Sequence, residues 1–215
     1  MISFINDYFY HFQVAPEAMD YLWNEGWRHF GSYFYRYSIL QELPQKHVMP
    51  LRMQLDAFKE SRIHKRILKK NEDLRVSIVP AFVNHEVHQL FDNHRARFTT
   101  NIPESIYVFV SRQPATVPCE CLSVCLYKAD KLIGISYLDL GSAACSSVFQ
   151  CFDLAESHRS PGIFMILQSI YWAKAKGMQL YYPGYAYHEA SYYDYKKRFS
   201  GLEYFDWQGS WLKLE

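Results

Sequence analysis

The chain has 215 residues and is almost neutral, because 23 Lys and Arg residues are balanced by 22 Asp and Glu residues. Hydrophobic residues make up 49% and charged residues 21%, which excludes an intrinsically disordered chain and predicts a buried core. No apolar run approaches the ~18 residues of a membrane span, and Asp7 stands where a secretory signal carries positive charge. We therefore expect a cytoplasmic protein. Five cysteines, an odd number, argue against a disulfide framework.

Residues 1–75 are predicted to form an N-terminal region distinct from the rest of the chain. Pro16 lies in the first turn of a predicted helix, and aromatic and polar residues alternate along 27–37, which predicts a strand. The stretch 59–75 is the only dense basic run in the sequence. Such a run is usually a solvated helix face.

Residues 76–215 have the pattern of an α/β core. Apolar residues at helical spacing predict a helix over 81–97, and a short apolar run predicts a strand over 106–110. The segments 121–127 and 132–138 are predicted to form a β-hairpin through a polar turn, and 146–152 is a third alternating strand.

The sequence signals for the start and the end of a helix are clearest after residue 159. Ser160 is the predicted N-cap, Pro161 suits the first helical position, and Gly177 ends the helix over 163–176. The next strand, 178–182, is predicted to stop at Pro183. The order strand, strand, strand, helix, strand implies a right-handed crossover and an α/β fold with a mixed central sheet.

Six short motifs follow one another along most of the chain. They are EGWRHFGSY (25–33), PLR with FKESR and RILKKN (50–71), SSVF with FD (146–153), RSPG (159–162), G with YYPGY (177–185) and YKKRF (195–199). Each motif is weak alone, but the ordered set resembles the arginyl-tRNA–protein transferase family, including its bacterial leucyl-transferring branch. The resemblance implies a GNAT-like acyltransferase domain over 76–215 that moves an amino acid from its tRNA to a protein N-terminus.

The family usually carries a cysteine-rich N-terminal module that binds a metal or an iron–sulfur cluster. The corresponding region, 35–50, contains no cysteine. Cys119, Cys121 and Cys125 lack a second ligand pair at zinc spacing, and His85 with His88 offers too few ligands. We therefore predict no metal and no cofactor, with aminoacyl-tRNA as the co-substrate.

Attack by an α-amine on an aminoacyl ester needs little base strength, because the α-amino pKa is about 7.7–8.0. It mainly needs the two reactants held together and the oxyanion stabilised. On the resemblance we assign backbone donors near 146–149, Ser147 as a polar helper, and Asp139 to orient the amine or take its proton. The alternatives are an ordinary strand hydroxyl and a turn residue.

The segment with Arg159, Ser160 and Gly162 is predicted to lie where a strand passes into a helix, where free N–H groups bind anions. We assign it to phosphates of the tRNA acceptor end; a well-capped helix is the alternative. The resemblance also favours RNA contacts for the cations of the basic run: Lys59, Arg62, Lys65, Arg66, Lys69 and Lys70.

Tyrosines are concentrated between residues 181 and 195. Tyr185 and Tyr187 are predicted to line a pocket for the terminal adenosine or the aminoacyl group, because unpaired bases stack on such rings. Ordinary aromatic packing is the alternative. Lys196 and Arg198 are predicted to bind the side chain of an acidic acceptor N-terminus, or else to be surface cations.

Three functions remain open at this stage. The first is an aminoacyl-tRNA–protein transferase that acts on acidic N-terminal residues and marks proteins for degradation. The second is a non-catalytic protein that binds tRNA or N-termini. The third is a coenzyme A-dependent acetyltransferase whose cofactor pyrophosphate lies at 159–162.

Overall fold

The computed structural model describes residues 4–42 and 44–214. Its strands are β1 (Asn6–Tyr10), β2 (Arg28–Phe30), β3 (Tyr33–Tyr37), β4 (Ile39–Leu40), β5 (Lys46–Gln54), β6 (Arg75–Pro80), β7 (Cys121–Lys128), β8 (Lys131–Leu140), β9 (Ala144–Phe152), β10 (Leu180–Tyr187), β11 (Leu202–Phe205) and β12 (Trp211–Lys213). Its α-helices are α1 (Pro16–Asn24), α2 (Arg62–Lys70), α3 (His85–Arg95) and α4 (Pro161–Ala175). No helix of this described part is long and apolar enough to cross a membrane.

The strands form a small sheet and a large one. The small sheet has the order β1-β3-β2, and the large sheet runs β12-β11-β5-β10-β9-β8-β7-β6, with β4 also paired to β5. Neighbours in the large sheet are antiparallel except β9 and β10, which are parallel and joined through α4. The predicted α/β fold with a mixed central sheet is confirmed. Because β5 lies in the centre of the large sheet, the two regions predicted on either side of residue 75 share one sheet.

Helices α3 and α4 cover the large sheet through two separate apolar clusters. Phe164 and Leu167 of α4 pack with Leu138, whereas Phe91 of α3 packs with Tyr137. Successive strand residues point to opposite faces, so the two helices lie on opposite sides of β8. The sheet between them is therefore buried on both faces near β8 and β9.

Local interactions explain where most helices begin. Ser61 accepts a hydrogen bond from the His64 backbone N–H, and the His64 ring accepts one from the Ser61 N–H, which forms a capping box at α2. Asn84 caps α3 through the Val87 N–H. Ser160 holds the predicted N-cap position of α4, and its carbonyl oxygen accepts from the Phe164 N–H at 3.1 Å. Its side chain makes no capping hydrogen bond, and its backbone is left-handed (φ 56) where the chain leaves the preceding 3₁₀ helix (Leu154–Arg159).

Three other predictions of local structure differ from the fold. The apolar run at 106–110 is a 3₁₀ helix (Ile106–Val108) capped by Ser105, since so short a run carries no clear periodicity. The strand predicted over 27–37 is a hairpin of β2 and β3 that turns at Gly31, where φ is +52. Strand β10 does not stop at Pro183 but continues to Tyr187, because a bulge accommodates the interruption.

His94, near the end of α3, links the helix to β9 and makes stability depend on pH. Its Nδ1 atom lies 3.0 Å from the Phe152 carbonyl oxygen and its Nε2 atom lies 3.2 Å from Nη1 of Arg97, so the neutral ring donates to Phe152 and accepts from Arg97. Burial lowers the pKa of His94 to about 4 from 6.5. Between these two values the unfolded chain binds the proton and the folded chain does not. Stability therefore falls as pH falls through this window, with a limit of about 3 kcal/mol.

We expect the His94→Asn variant, which keeps a polar amide near the Phe152 backbone but does not titrate, to lose less stability than the wild type between pH 6.5 and 4. Urea unfolding at a series of pH values measures this difference. The exposed His85 supplies the control, because His85→Gln is expected to follow the wild-type pH profile. Parallel wild-type and His94→Asn profiles would contradict the assignment.

Candidate active site

Strands β9 and β10 separate soon after they begin, and this divergence defines the candidate site. They pair only at three positions, where Ala144–Ser146 lies beside Leu180–Tyr182. In β10 the register against β5 slips by one residue between Tyr181 and Gly184, and in β9 the register against β8 slips just after Ser147. Both strands thus carry a bulge at the divergence, a feature common beside active sites. Beyond it, the described residues show no strand paired with β9 on the side that faces β10.

Aromatic rings cover the divergence and connect the two strands. We call them the aromatic bridge: Phe149, Phe109, Phe30, Tyr35 and Tyr185. Phe149 of β9 stacks on Phe109, with 4.0 Å between the ring centroids. The ring contacts continue through Phe30 and Tyr35 of the small sheet to Tyr185 of β10. The small N-terminal sheet therefore helps to build the site. Two surface depressions lie away from the divergence, one beside Ile39 and one beside Lys65.

Ser147, a predicted catalytic residue, lies at the divergence. Its Oγ is 2.6 Å from the hydroxyl of Tyr181, which is fully buried. Burial raises the pKa of Tyr181, so the phenol stays protonated and can donate its proton to Ser147. The Ser147 hydroxyl is then free to donate to another acceptor. Its catalytic role remains a prediction.

Asp139, the other predicted catalytic residue, forms a buried pair that the sequence did not predict. Its Oδ2 lies 2.5 Å from Nε2 of His29, and both residues are at most 5% exposed. The Nδ1 of His29 is 2.9 Å from the carbonyl oxygen of Gly31. Each ring nitrogen of His29 therefore faces an oxygen atom, one from the Gly31 backbone and one from the Asp139 carboxyl group. A substrate amine would have to separate this pair to reach Asp139, so its catalytic role also remains a prediction.

Cys119 lies beside this pair, and its Sγ is within 4.8 Å of the His29 and Asp139 ligand atoms. Metal ligands at a tetrahedral zinc are about 3.3 Å or more apart, given bond lengths near 2.0–2.3 Å. The 2.5 Å separation of the His29 and Asp139 atoms is that of a direct hydrogen bond and is too short for two ligands of one zinc ion. Burial and the charge of Asp139 raise the pKa of Cys119, which keeps the thiol protonated and a poor ligand.

The five cysteines do not fit the metal-binding module of the family. All are buried free thiols, and all follow residue 118: Cys119, Cys121, Cys125, Cys145 and Cys151. The region where the family's cysteines are expected contains none. We therefore derive no step through a metal or cluster.

The predicted anion-binding segment before α4 is already occupied by protein groups. Arg159 forms ion pairs with Asp73 and Glu156. A Cβ atom at Gly162 would lie 2.8 Å from Nε2 of Gln150, so Gly162 allows the Gln150 side chain to pack closely there. Contact of Arg159, Ser160 and Gly162 with a tRNA phosphate remains a prediction.

The fold places the basic run beside that segment. Helix α2 ends where Lys70 donates to the His158 carbonyl oxygen and Arg159 donates to the Lys70 carbonyl oxygen at 3.0 Å. All six predicted RNA contacts are exposed, and none forms an ion pair within the described residues: Lys59, Arg62, Lys65, Arg66, Lys69 and Lys70. They remain a prediction, and the fold brings the end of α2 into contact with the segment before α4.

The predicted substrate tyrosines lie in a crowded aromatic cluster. The Tyr185 hydroxyl donates to the Gly26 carbonyl oxygen at 2.6 Å, and Tyr187 is buried against Tyr193. Lys196 donates to the Tyr185 carbonyl oxygen at 3.0 Å, whereas Arg198 is exposed. The structure thus brings Tyr185, Tyr187 and Lys196 together. The substrate roles of all four residues remain predictions.

Arg28 joins the same cluster and was not predicted as a site residue, although it belongs to the EGWRHFGSY motif. Arg28 is 6% exposed. Its guanidinium carbon lies 5.1 Å from the ring centroid of Tyr182 and 5.5 Å from that of Tyr185. Burial lowers its pKa. Burial and the nearby Arg28 charge lower the pKa of Lys196 to about 7. The site therefore holds two cations close enough to repel each other.

Comparison with known proteins defines the class. The sheet has two neighbouring parallel strands, β9 and β10, that are joined through α4, as predicted from the sequence. A family model described as "Arginine-tRNA-protein transferase, C terminus" matches residues 80–206, so the chain belongs to this family of aminoacyltransferases.

Three relatives carry the name aspartate/glutamate leucyltransferase. The protein from Acinetobacter baylyi is 28% identical over 88% of this chain and 69% of its own length. The one from Helicobacter hepaticus is 27% identical over 91% of this chain and 82% of its own length. The Leptospira interrogans protein is 28% identical over 86% of this chain and 73% of its own length.

Proposed function

We propose that this protein transfers leucine or arginine from its tRNA to the α-amine of proteins whose N-terminal residue is acidic, in the cytoplasm. The divergence of β9 and β10 carries the proposal, because it leaves a strand edge beside Ser147 with no strand partner. The names of the relatives support acidic acceptors and favour leucine. The reaction would feed the N-end rule pathway of protein degradation.

In this proposal the neutral α-amine attacks the carbonyl carbon of the aminoacyl ester. The C–N bond forms, the oxyanion accepts hydrogen bonds from β9 backbone N–H groups and the Ser147 hydroxyl, and the C–O bond to the terminal ribose then breaks. The released ribose oxygen takes up the proton that the amine loses. Aminoacyl-tRNA is the co-substrate, and no resident cofactor is required.

Transfer of radiolabelled amino acid from charged tRNA to a peptide with N-terminal Asp tests the proposal. We expect product with leucyl-tRNA or arginyl-tRNA and none with the same tRNA after the ester is hydrolysed. Binding of tRNA without transfer would support a non-catalytic protein instead. Thermal stabilisation by coenzyme A, with no effect of tRNA, would favour an acetyltransferase.

The basic surface of α2 gives a separate prediction. Lys65 and Lys69 lie one helical turn apart on the exposed face. If both contact phosphates, the Lys65→Gln/Lys69→Gln variant should bind tRNA roughly tenfold or more weakly at low salt. The slope of log K against log salt should also become shallower by about two.

Filter binding over a range of salt concentrations measures both quantities. The matched control is Lys176→Gln/Lys213→Gln, which removes two exposed lysines from other parts of the chain. If the α2 variant has the same slope of log K against log salt as the wild type, α2 does not contact the tRNA phosphates.

A further inference from the structure

Arg28 is a buried cation without a counter-ion. Its terminal nitrogens donate to the carbonyl oxygens of Trp27 and Leu51, at 2.6 and 3.2 Å, and its Nε has no hydrogen-bond partner. No carboxylate within the described residues pairs with it. Buried charges in proteins are normally paired, because removal from water costs several kcal/mol. Arg28 is therefore equipped to bind an anion that the chain itself does not supply.

Lys196 is the second cation of this cluster. Its neighbour Lys197 forms an ion pair with Asp194, but Lys196 extends to the Tyr185 carbonyl oxygen and to the Tyr193 ring at 4.9 Å. The close approach depends on Gly184, where a Cβ atom would lie 3.2 Å from Nζ of Lys196. An anion bound here would restore the charge of Lys196, because it would offset the repulsion from Arg28.

Arg28 is more buried than the other arginines of the described residues. Four partly buried arginines have carboxylate partners, namely Arg36, Arg52, Arg95 and Arg159, whereas Arg97 lies against the His94 ring and aromatic rings. Arg52 pairs with Glu203 at 2.6 Å, and Arg159 pairs with two acidic residues. The contrast indicates that the missing partner of Arg28 and Lys196 comes from a ligand. Tyr35 and Tyr37 add hydroxyl donors, since burial raises the pKa of both phenols, that of Tyr37 to about 12.

We propose that Arg28 and Lys196 bind the side-chain carboxylate of the acceptor's N-terminal residue, an inference that rests on the proposed function. The subsite adjoins the divergence, because Arg28 lies over Tyr182, the last β10 residue that pairs with β9. Tyr182 and Tyr181 point to opposite faces of β10, so an acidic side chain bound over Tyr182 approaches the β9 edge from the face of the small sheet, opposite to the Ser147–Tyr181 pair. A carboxylate fits better than a phosphodiester, because Arg28 is 6% exposed and only a small group reaches it.

Peptide preference tests the subsite. Peptides that begin with Asp or with its neutral isostere Asn are compared in two ways: by calorimetric binding without tRNA, and by kcat/KM for transfer. We expect the wild type to prefer Asp by about tenfold or more, as for hydrogen bonds to charged groups. In Lys196→Met this preference should fall toward unity, whereas Lys197→Met should keep it.

Arg28→Lys is a second variant, which retains the charge but loses the fork geometry, and it should reduce the preference without loss of fold. Equal use of Asp and Asn by the wild type would overturn the inference, as would an unchanged preference in Lys196→Met. Weaker tRNA binding with unchanged peptide preference in both variants would instead assign the two cations to a phosphate. If no tRNA supports transfer yet Asp-selective binding depends on Lys196, the proposed function fails and the carboxylate subsite stands.

Discussion

Replacing His29 with alanine is expected to lower the free energy of unfolding by about 3 kcal/mol or more. The change leaves the Asp139 carboxylate buried without its partner 2.5 Å away. It also disconnects β2 of the small sheet from β8 of the large one, because this hydrogen bond joins them. Urea unfolding of the His29→Ala variant near pH 7 measures the loss.

The exposed His11 provides the control, and His11→Ala should stay within about 0.5 kcal/mol of the wild type. Adding Asp139→Asn to His29→Ala should recover part of the stability, since no carboxylate is then left without a partner. A cost below about 1 kcal/mol for His29→Ala would show that the pair does not hold the two sheets together.

The Ser147→Ala variant is expected to transfer the amino acid about 10²-fold more slowly, with tRNA and peptide binding close to the wild type. The change removes the hydroxyl that we assign to the oxyanion, and loss of one such donor typically costs about 10²–10³ in kcat. It also leaves the Tyr181 phenol without its acceptor, so the fold must be checked by thermal unfolding. Single-turnover transfer from charged tRNA measures the chemical step.

Ser142→Ala, a change at an exposed serine that precedes β9, is the matched control and should keep the wild-type rate. The transfer rate of Tyr181→Phe should lie between those of Ser147→Ala and Ser142→Ala, because the Ser147 hydroxyl remains but its orientation is no longer fixed. A wild-type rate for Ser147→Ala would remove this residue from the chemistry. The backbone N–H groups of β9 would then be the donors that stabilise the oxyanion.

Much of the central fold could be predicted because its signals are local. The turn at 129–131 and the alternation on either side predicted the β7–β8 hairpin, and Pro161 with Gly177 delimited α4 to within two residues. The interruption at Pro183 was misleading, because a one-residue bulge lets β10 continue to Tyr187. Gly184, which follows the bulge, allows the close approach of Lys196, a tertiary contact that local sequence does not contain.

The site was harder to predict because its contacts join distant segments. His29 and Asp139 are 110 positions apart, and Ser147 and Tyr181 are 34 apart. The alternation of residues along β2 and β3 predicts which side chains share a face of the small sheet. It does not predict that this face covers the place where β9 and β10 diverge. Arg28 therefore resembled an ordinary strand residue, and only its burial without a carboxylate distinguishes it.

Photo-crosslinking of the aminoacyl group tests the central claim most directly. The probe is an adenosine that carries a photoreactive amino acid through a stable 3′-amide, which mimics the loaded end of the tRNA. The account predicts crosslinks, mapped by mass spectrometry, to β9 next to Ser147 or to β10 next to Tyr185, and competition by aminoacyl-tRNA. Crosslinks confined to surfaces away from these two strands would contradict the account.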